Sequence, residues 1–218
     1  MFFRKRREQI REDRRRYQRR IFLEDLEPRL VLSASPSAAF DLIDLYEMRE
    51  KYPEIHGSEI GIAIIDTGVD FSHVDLNGNK GEYRNFVDSD PVLIGTHGTH
   101  VAGTAASSDP NIGVATKSSI YGLQVFHHTA TPDRPLSDLS DQKAALQWVL
   151  DNHNQNGNNI KVVNMSLGGG FYSNVEEAKN SYLAGFNLIR QLESVGVTVV
   201  AAAGNSYGYE AGAYPNFE

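Results

Sequence analysis

The sequence has 218 residues, 40% of them hydrophobic, and no apolar run approaches the ~18 residues of a membrane span. It contains no cysteine, which excludes disulfides, thiolate catalysis and cysteine-based zinc sites. The formal net charge is −7, but residues 1–30 carry 11 Lys and Arg against 6 Asp and Glu, which leaves 10 bases and 22 acids for the rest. An acidic body with a basic arm argues against nucleic acid as a partner and fits an enzyme working in open solution or outside the cell.

Residues 1–40 are predicted to form a basic arm and a linker. The arginine clusters at 14–16 and 19–20 are typical of a solvated arm, expected to lie outside the folded body. Residues 26–32 read Leu-Glu-Pro-Arg-Leu-Val-Leu and resemble the "LEPR-x-Leu-Leu" segment of large exported bacterial proteins, with Val31 in place of a leucine. This resemblance implies a secreted or cell-surface protein. The small residues of 33–39 indicate a linker, so a folded domain is expected over 41–218.

Strands and helices are predicted to alternate through this domain. The apolar run from Ile62 to Ile65, followed by the polar Asp66-Thr67-Gly68, is typical of a strand buried on both faces of a parallel sheet. The other predicted elements are a helix at 41–51, a strand at 83–87, a helix from 97, a strand at 119–126, a helix from 137 or 138 to about 152, a strand at 161–165, a helix from 173 or 174 and a strand at 197–203. This alternation predicts an α/β fold with a parallel sheet and helices on both faces.

Polar motifs occur where predicted strands end or helices begin. Asp66 follows the first buried strand, at the edge where ligands of parallel sheets collect. Residues 97–104 read His-Gly-Thr-His-Val-Ala-Gly-Thr, and their small side chains suit a helix packed tightly on a sheet. Ser166-Leu167-Gly168-Gly169 follows a strand, and the strand at 197–203 ends with Ala203 and leads into Gly204-Asn205. Taken singly, these motifs can also be a turn cap, a helix cap, a tight loop and a turn.

Together and in this order, the motifs resemble the subtilisin-like serine proteases over about residues 42–215. The resemblance implies that Asp66 orients His97, that His97 is the general base of an Asp-His-Ser triad, and that Asn205 donates to the oxyanion. It also implies that Ser166, Leu167, Gly168 and Gly169 bind a polypeptide substrate as an added strand. His100 is expected to be packed support rather than a base.

The nucleophilic serine of that family is the motif that the sequence lacks, because no Gly-Thr-Ser-Met-Ala-like segment occurs in it. We therefore expect a fold that is incomplete at its C-terminus, with the serine beyond residue 218 and no activity in the chain as given. The alternative is a catalytically inactive remnant that at most binds peptides. A nucleotide-binding α/β protein is disfavoured because no Gly-rich phosphate loop opens a predicted helix.

No cofactor is expected with certainty. Calcium is considered because Asp75 matches an acid that ligates calcium in some members of the family, although the short segment 107–111 argues against that site. His127-His128 is predicted to be a solvated loop, since no acidic or histidine partner at ligand spacing accompanies it. The expected partners are polypeptide substrates, with no nucleic acid and no transmembrane segment. The complete protein is expected to be a monomer.

Overall fold

The computed structural model describes residues 20–22, 36–87, 96–128, 135–169, 172 and 174–202. A short 3-10 helix, Val74–Leu76, lies between two of the strands. In chain order the other elements are β1 (Arg20–Phe22), α1 (Pro36–Leu42), α2 (Leu45–Lys51), β2 (Gly61–Asp66), β3 (Lys80–Asn85), α3 (His97–Ala106), β4 (Ser119–Gln124), β5 (Phe126–His127), β6 (Leu136–Asp138), α4 (Leu139–Asn152), β7 (Ile160–Met165), α5 (Val175–Ser181), α6 (Leu183–Ser194) and β8 (Thr198–Ala201).

A five-stranded sheet in the order β3-β4-β2-β7-β8 forms the centre of the fold. Every neighbouring pair in it is parallel, as predicted. The first buried strand of the sequence is the central one, and all six residues of β2 are buried. Because the strands are parallel, their carboxyl ends meet at one edge of the sheet, and Asp66 stands there opposite Gln124 of β4.

Helices cover both faces of this sheet, which confirms the predicted layers. Successive side chains of a strand point to opposite faces. Accordingly, Ala63 and Ile65 of β2 pack in one core cluster together with residues of α4 and α6. Ile62 and Ile64 pack in the other cluster, against Ala102 and Ala106 of α3. The short apolar side chains of α3 bring its backbone close to the sheet.

A second, antiparallel sheet has the strand order β1-β6-β5. Its outer strand belongs to the basic arm, since Arg20, Ile21 and Phe22 pair with Asp138, Ser137 and Leu136. The expectation that the arm lies outside the folded body is therefore wrong for residues 20–22. The physical reason is that pairing with residues 20–22 satisfies backbone N–H and C=O groups of β6 that would otherwise be exposed at the edge of the sheet. The segment at 26–32 lies outside the described residues.

The first predicted helix is two helices, and it starts earlier than predicted. α1 begins at Pro36, inside the predicted linker, and Asp44 between α1 and α2 has a φ of 52°, which breaks the helix. Phe40 of α1 is 4% exposed and its ring lies 5.8 Å from that of Tyr46. The guanidinium of Arg49 lies 5.5 Å from the Phe40 ring. Phe40, the last residue of the predicted arm and linker, therefore packs against α2.

The helix predicted from residue 173 or 174 is also divided. Asn174 caps α5 by accepting a hydrogen bond from the backbone N–H of Glu177 at 2.9 Å, as its sequence pattern indicates. The chain then leaves helical geometry at Tyr182 before α6 begins. The helices of the described chain are all too short or too polar to cross a membrane.

Candidate active site

Asp66 is the last residue of β2, and its carboxylate is completely buried. The backbone N–H of Thr67 donates to its Oδ1 at 2.6 Å. The backbone N–H of Val125, just past β4, donates to the carbonyl oxygen of Asp66 at 2.9 Å. The strand end and the carboxylate are thus held in place by the sheet itself. Burying a carboxylate is costly unless it is hydrogen-bonded, and a second partner comes from α3.

That partner is His97, the first residue of α3. Its Nδ1 lies 2.8 Å from Oδ1 and 3.0 Å from Oδ2 of Asp66. The carboxylate accepts, so Nδ1 carries the proton and Nε2 of the neutral ring is left as a proton acceptor. The His97 side chain is 19% exposed, while that of Asp66 is fully buried. A buried carboxylate thus orients a partly accessible imidazole, and the pair can take up a proton at Nε2.

Two threonines hold the amino end of α3 against the loop that follows β2. Oγ1 of Thr67 accepts a hydrogen bond from the backbone N–H of Gly98 at 3.0 Å. Oγ1 of Thr99 accepts one from the backbone N–H of Asp70 at 2.9 Å. These positioning roles were not predicted. The available signal was that each hydroxyl lies within one or two residues of the predicted pair.

The close approach of α3 to β2 requires glycine at position 98. A Cβ atom there would lie 2.2 Å from the carbonyl oxygen of Gly68 and 3.2 Å from Cβ of Asp66. No side chain fits without moving the helix. Gly98 therefore sets the distance between the strand that carries Asp66 and the helix that carries His97.

The charge of His97 is subject to opposing influences. The hydrogen bond to Asp66 raises the pKa of His97 above its ordinary value, and the charge of that carboxylate acts in the same direction. Partial burial lowers the pKa, but the carboxylate is the stronger influence. The imidazolium that results from proton uptake is therefore stabilised where it forms.

The predicted substrate-binding residues follow β7, which is the direct neighbour of β2 in the sheet. Ser166 accepts a hydrogen bond at Oγ from Nδ2 of Asn164 at 2.8 Å. Leu167 is 8% exposed, whereas Gly169 is exposed. The backbone N–H of Ala202 donates to the carbonyl oxygen of Met165 at 3.1 Å, so the carboxyl ends of β7 and β8 are adjacent. Asn205 lies outside the described residues.

The structure thus brings Asp66 and His97 into direct contact and places 166–169 after the neighbouring strand. The catalytic and binding roles of these residues stay predictions. His100 is exposed, so the expectation that it is packed support is wrong in this structure. One turn after His97, its side chain points away from the sheet because α3 packs through its small residues.

Asp75, the candidate calcium ligand, lies in the 3-10 helix. Its Oδ2 is 3.7 Å from Nδ1 of His73. Its carbonyl oxygen accepts a hydrogen bond from the backbone N–H of Ser108 at 3.0 Å. Within the described ranges Asp75 belongs to no group of three or more acidic or histidine ligands.

His127 does have acidic partners, which corrects the prediction of a solvated loop. Ligand atoms of His127, Asp138 and Asp141 all lie within 4.8 Å of one another, and all three residues are partly buried. The partners are 11 and 14 positions away in the sequence, and the pairing of β5 with β6 brings them together. Sequence spacing alone did not show this contact.

Comparison with known proteins gives matches over most of the domain. The model of the subtilase family matches residues 57–216. Subtilisin from Bacillus pumilus is 35% identical over 166 residues, which cover 71% of this chain and 52% of the relative. Subtilisin E from Bacillus subtilis (strain 168) is also 35% identical over 166 residues, with 71% of this chain and 38% of the relative covered. The chain spans about half the length, or less, of these curated relatives.

Solved structures give the same result. Sphericase superposes with a TM-score of 0.54 and 30% identity, over 69% of this chain and 47% of its own. A cold adapted subtilisin-like serine proteinase gives a TM-score of 0.51 and 30% identity, over 70% and 49%. A lanthipeptide protease gives a TM-score of 0.59 over 85% of this chain and 50% of its own, and at 24% identity it supports the fold alone.

Proposed function

Because the chain belongs to the subtilase family, we propose that it is the amino-terminal part of a serine endopeptidase that hydrolyses peptide bonds. The observation that carries this proposal is the contact between His97 and the buried Asp66, at 2.8 Å from Nδ1 to Oδ1. In this role Asp66 orients the imidazole and His97 is the general base. We place the third member of the triad, a serine, beyond residue 218, because these 218 residues contain no Gly-Thr-Ser-Met-Ala-like motif.

The proposed reaction is acyl transfer to that serine. Its Oγ attacks the carbonyl carbon of the scissile peptide bond, and its proton passes to Nε2 of His97. Asp66 stabilises the imidazolium that results. His97 then protonates the leaving amine, and water hydrolyses the acyl-enzyme by the same route. The direction of the His97 pKa supports this assignment, since the carboxylate favours the protonated ring.

The remaining roles concern the substrate. We assign the oxyanion donor to the side-chain amide of Asn205, which the family's motif supports. The backbone of 166–169 would bind the polypeptide as an added strand, and its place after β7, beside β2, supports this assignment. We further propose that the protein acts outside the cell, on the basis of the acidic domain and the segment at 26–32.

A fluorophosphonate probe, which labels activated serines, tests the proposal. The test compares the 218-residue chain with the longer gene product that includes sequence after Glu218. We expect labelling of the longer product only. In that product, His97→Ala should abolish labelling. His100→Ala is the matched control, because this exposed histidine lies one turn away on the same helix, and labelling should persist.

Three results would contradict the proposal. Labelling of the 218-residue chain would show that another serine is the nucleophile. Equal labelling of the longer product after His97→Ala would remove the general base from its role. A longer product that carries no reactive serine but binds peptides would instead support the alternative of an inactive peptide-binding remnant.

A further inference from the structure

His127, Asp138 and Asp141 form a group of potential metal ligands that includes neither Asp66 nor His97. We propose that this group binds one divalent transition-metal ion, with Zn²⁺ as the preferred ion. One ligand atom from each residue lies within 4.8 Å of the others, so a single ion can contact all three. The inference goes beyond the proposed peptidase function and does not depend on it.

Three different elements supply the ligands. His127 is the last residue of β5 and pairs with Leu136 of β6 in antiparallel register. Asp138 ends β6, two residues after that pair, and Asp141 lies in the first turn of α4. The hairpin pairing and the strand-to-helix junction together determine where the three side chains lie. Rigid elements on each side are what a preorganised metal site requires.

Among the described residues, the carboxylate of Asp138 has no hydrogen-bond or ion-pair partner. Asp138 occupies the N-cap position of α4, where an aspartate usually accepts a hydrogen bond from the helix, but it makes no such bond here. It also takes part in none of the ion pairs among the described residues. Its carboxylate instead lies within reach of His127 and of a second carboxylate.

The charges of the group favour a cation. Two carboxylates within 4.8 Å of each other repel when both are ionised. The partial positive charge at the amino end of α4 relieves part of this repulsion. For the same reason it slightly weakens the attraction of the two carboxylates for a cation. A doubly charged ion balances both carboxylates while the imidazole stays neutral and donates a lone pair.

The donor set selects the class of ion. Ca²⁺ and Mg²⁺ bind sites made of oxygen ligands, whereas imidazole nitrogen suits zinc and its first-row neighbours. One nitrogen and two carboxylates match the three protein ligands of an open zinc site, with water as the fourth ligand. The ion would join both ends of segment 128–137 to the first turn of α4. Binding would therefore raise the resistance of this part of the domain to unfolding.

The test is a titration of the intact 218-residue chain, after treatment with a chelator, with Co²⁺ as a spectroscopic probe for a zinc site. We expect one Co²⁺ to bind with the visible absorption of a four-coordinate site and to be displaced by Zn²⁺ but not by Mg²⁺. His127→Ala should weaken binding by at least about tenfold, the lower limit of what loss of supporting groups costs in metal sites. Asp138→Asn and Asp141→Asn should weaken it similarly.

Asp138→Asn separates metal binding from folding, because the side chain keeps its size and Asp138 makes no cap hydrogen bond that the change could remove. His128→Ala is the matched control for His127, and its affinity for Co²⁺ should equal that of the unchanged chain. His97→Ala should also leave binding unchanged. Binding that survives His127→Ala, that disappears instead with His97→Ala, or that is absent from the unchanged chain would overturn the proposal.

Discussion

At the scale of single residues, the candidate site depends on the buried carboxylate of Asp66 and on a glycine at position 98, which has no side chain. The carboxylate of Asp66 is completely buried and is satisfied by Thr67 and His97. Gly98 lets the helix that carries His97 come within contact of the strand that carries Asp66. Each of these features can be tested without catalytic activity.

Replacement of Asp66 by asparagine should lower the pKa of His97, because the carboxylate is what raises it. Because the pKa of His97 in the folded state lies above its ordinary value, the contact with Asp66 contributes to stability. This contribution is fully present below pH ~6.5 and is lost as the pH rises through the folded-state pKa of His97. The difference in free energy of unfolding between the unchanged chain and Asp66→Asn should therefore shrink over that rise. NMR titration of the His97 ring measures the pKa, and urea unfolding at several pH values measures the stability.

Asp70→Asn is the control for this pH dependence. The carboxylate of Asp70 accepts hydrogen bonds from Ser72, not from His97. Asp70→Asn should therefore leave the pKa of His97 unchanged. An equal His97 pKa in the unchanged chain and in Asp66→Asn would mean that the contact between the two residues does not exist in solution.

Gly98→Ala should destabilise the domain by about 1–3 kcal/mol, the usual cost of overpacking, since its Cβ would lie 2.2 Å from the Gly68 carbonyl oxygen. Gly103→Ala in the same helix is the matched control, because nothing lies within 4 Å of a Cβ there. That change should stabilise the helix by about 0.5–1 kcal/mol. Chemical denaturation of both variants checks the prediction, and equal effects would contradict it.

At the scale of elements, the division between α5 and α6 has a cost. Tyr182, where the helix breaks, has a buried hydroxyl with no hydrogen-bond partner in the described part of the chain. Burial raises the pKa of Tyr182 to about 12. The ring lies over Gly185, where a Cβ would be 2.1 Å from it. The aromatic ring is thus packed while its polar atom is left unsatisfied.

Tyr182→Phe should therefore stabilise the domain, by about 1 kcal/mol, because an unpaired buried polar group costs about that much or more. The raised pKa adds a second expectation. Because the Tyr182 hydroxyl ionises less readily in the folded chain than in the unfolded chain, the free energy of unfolding is unaffected below pH ~10. It decreases as the pH rises toward 12. The alkaline loss of stability should accordingly be smaller in Tyr182→Phe. Urea unfolding at neutral and alkaline pH measures both effects.

Tyr121→Phe is the matched change with the opposite sign. The Tyr121 hydroxyl donates to Oδ1 of Asn158 at 2.9 Å, so its removal should cost about 1 kcal/mol. If both phenylalanine variants lost stability to the same extent, Tyr182 would have a partner in solution, and the account of the helix break would be wrong.

At the scale of the whole molecule, the described sheet ends at an exposed apolar strand. β8 is the outer strand in the order β3-β4-β2-β7-β8, and Val200 within it is 49% exposed. Within the described residues, β8 therefore exposes apolar surface. An uncovered edge strand with apolar side chains is a site for pairing with other chains.

We therefore expect the 218-residue chain to self-associate, and Val200→Lys to reduce this association. A lysine on an edge strand opposes pairing with a second sheet. Val74→Lys is the control, because Val74 is 79% exposed but lies in the 3-10 helix. Light scattering at increasing concentration measures the effect. A chain that is monomeric at all concentrations, or equal reduction by both variants, would contradict the prediction.

Local patterns in the sequence were sufficient for much of the fold and for the core of the candidate site. The apolar run before Asp66 predicted β2, and the alternation of strands and helices predicted the parallel sheet. Small residues after His97 predicted a helix packed on that sheet. These features depend on neighbours within a few positions, so periodicity and motif order carry the information. The family that the motifs indicated is confirmed by the match over 57–216.

Only the tertiary structure decided which distant residues meet. Arg20–Phe22 pairs with β6, although no pattern in the basic arm indicates which strand it pairs with. His127 lies close to Asp138 and Asp141 because β5 pairs with β6. The sequence separations between His127 and the two aspartates do not indicate this proximity. The helix breaks at Asp44 and Tyr182 were likewise not predicted from the sequence. Contacts across the chain depend on strand pairing and burial, which one-dimensional patterns do not encode.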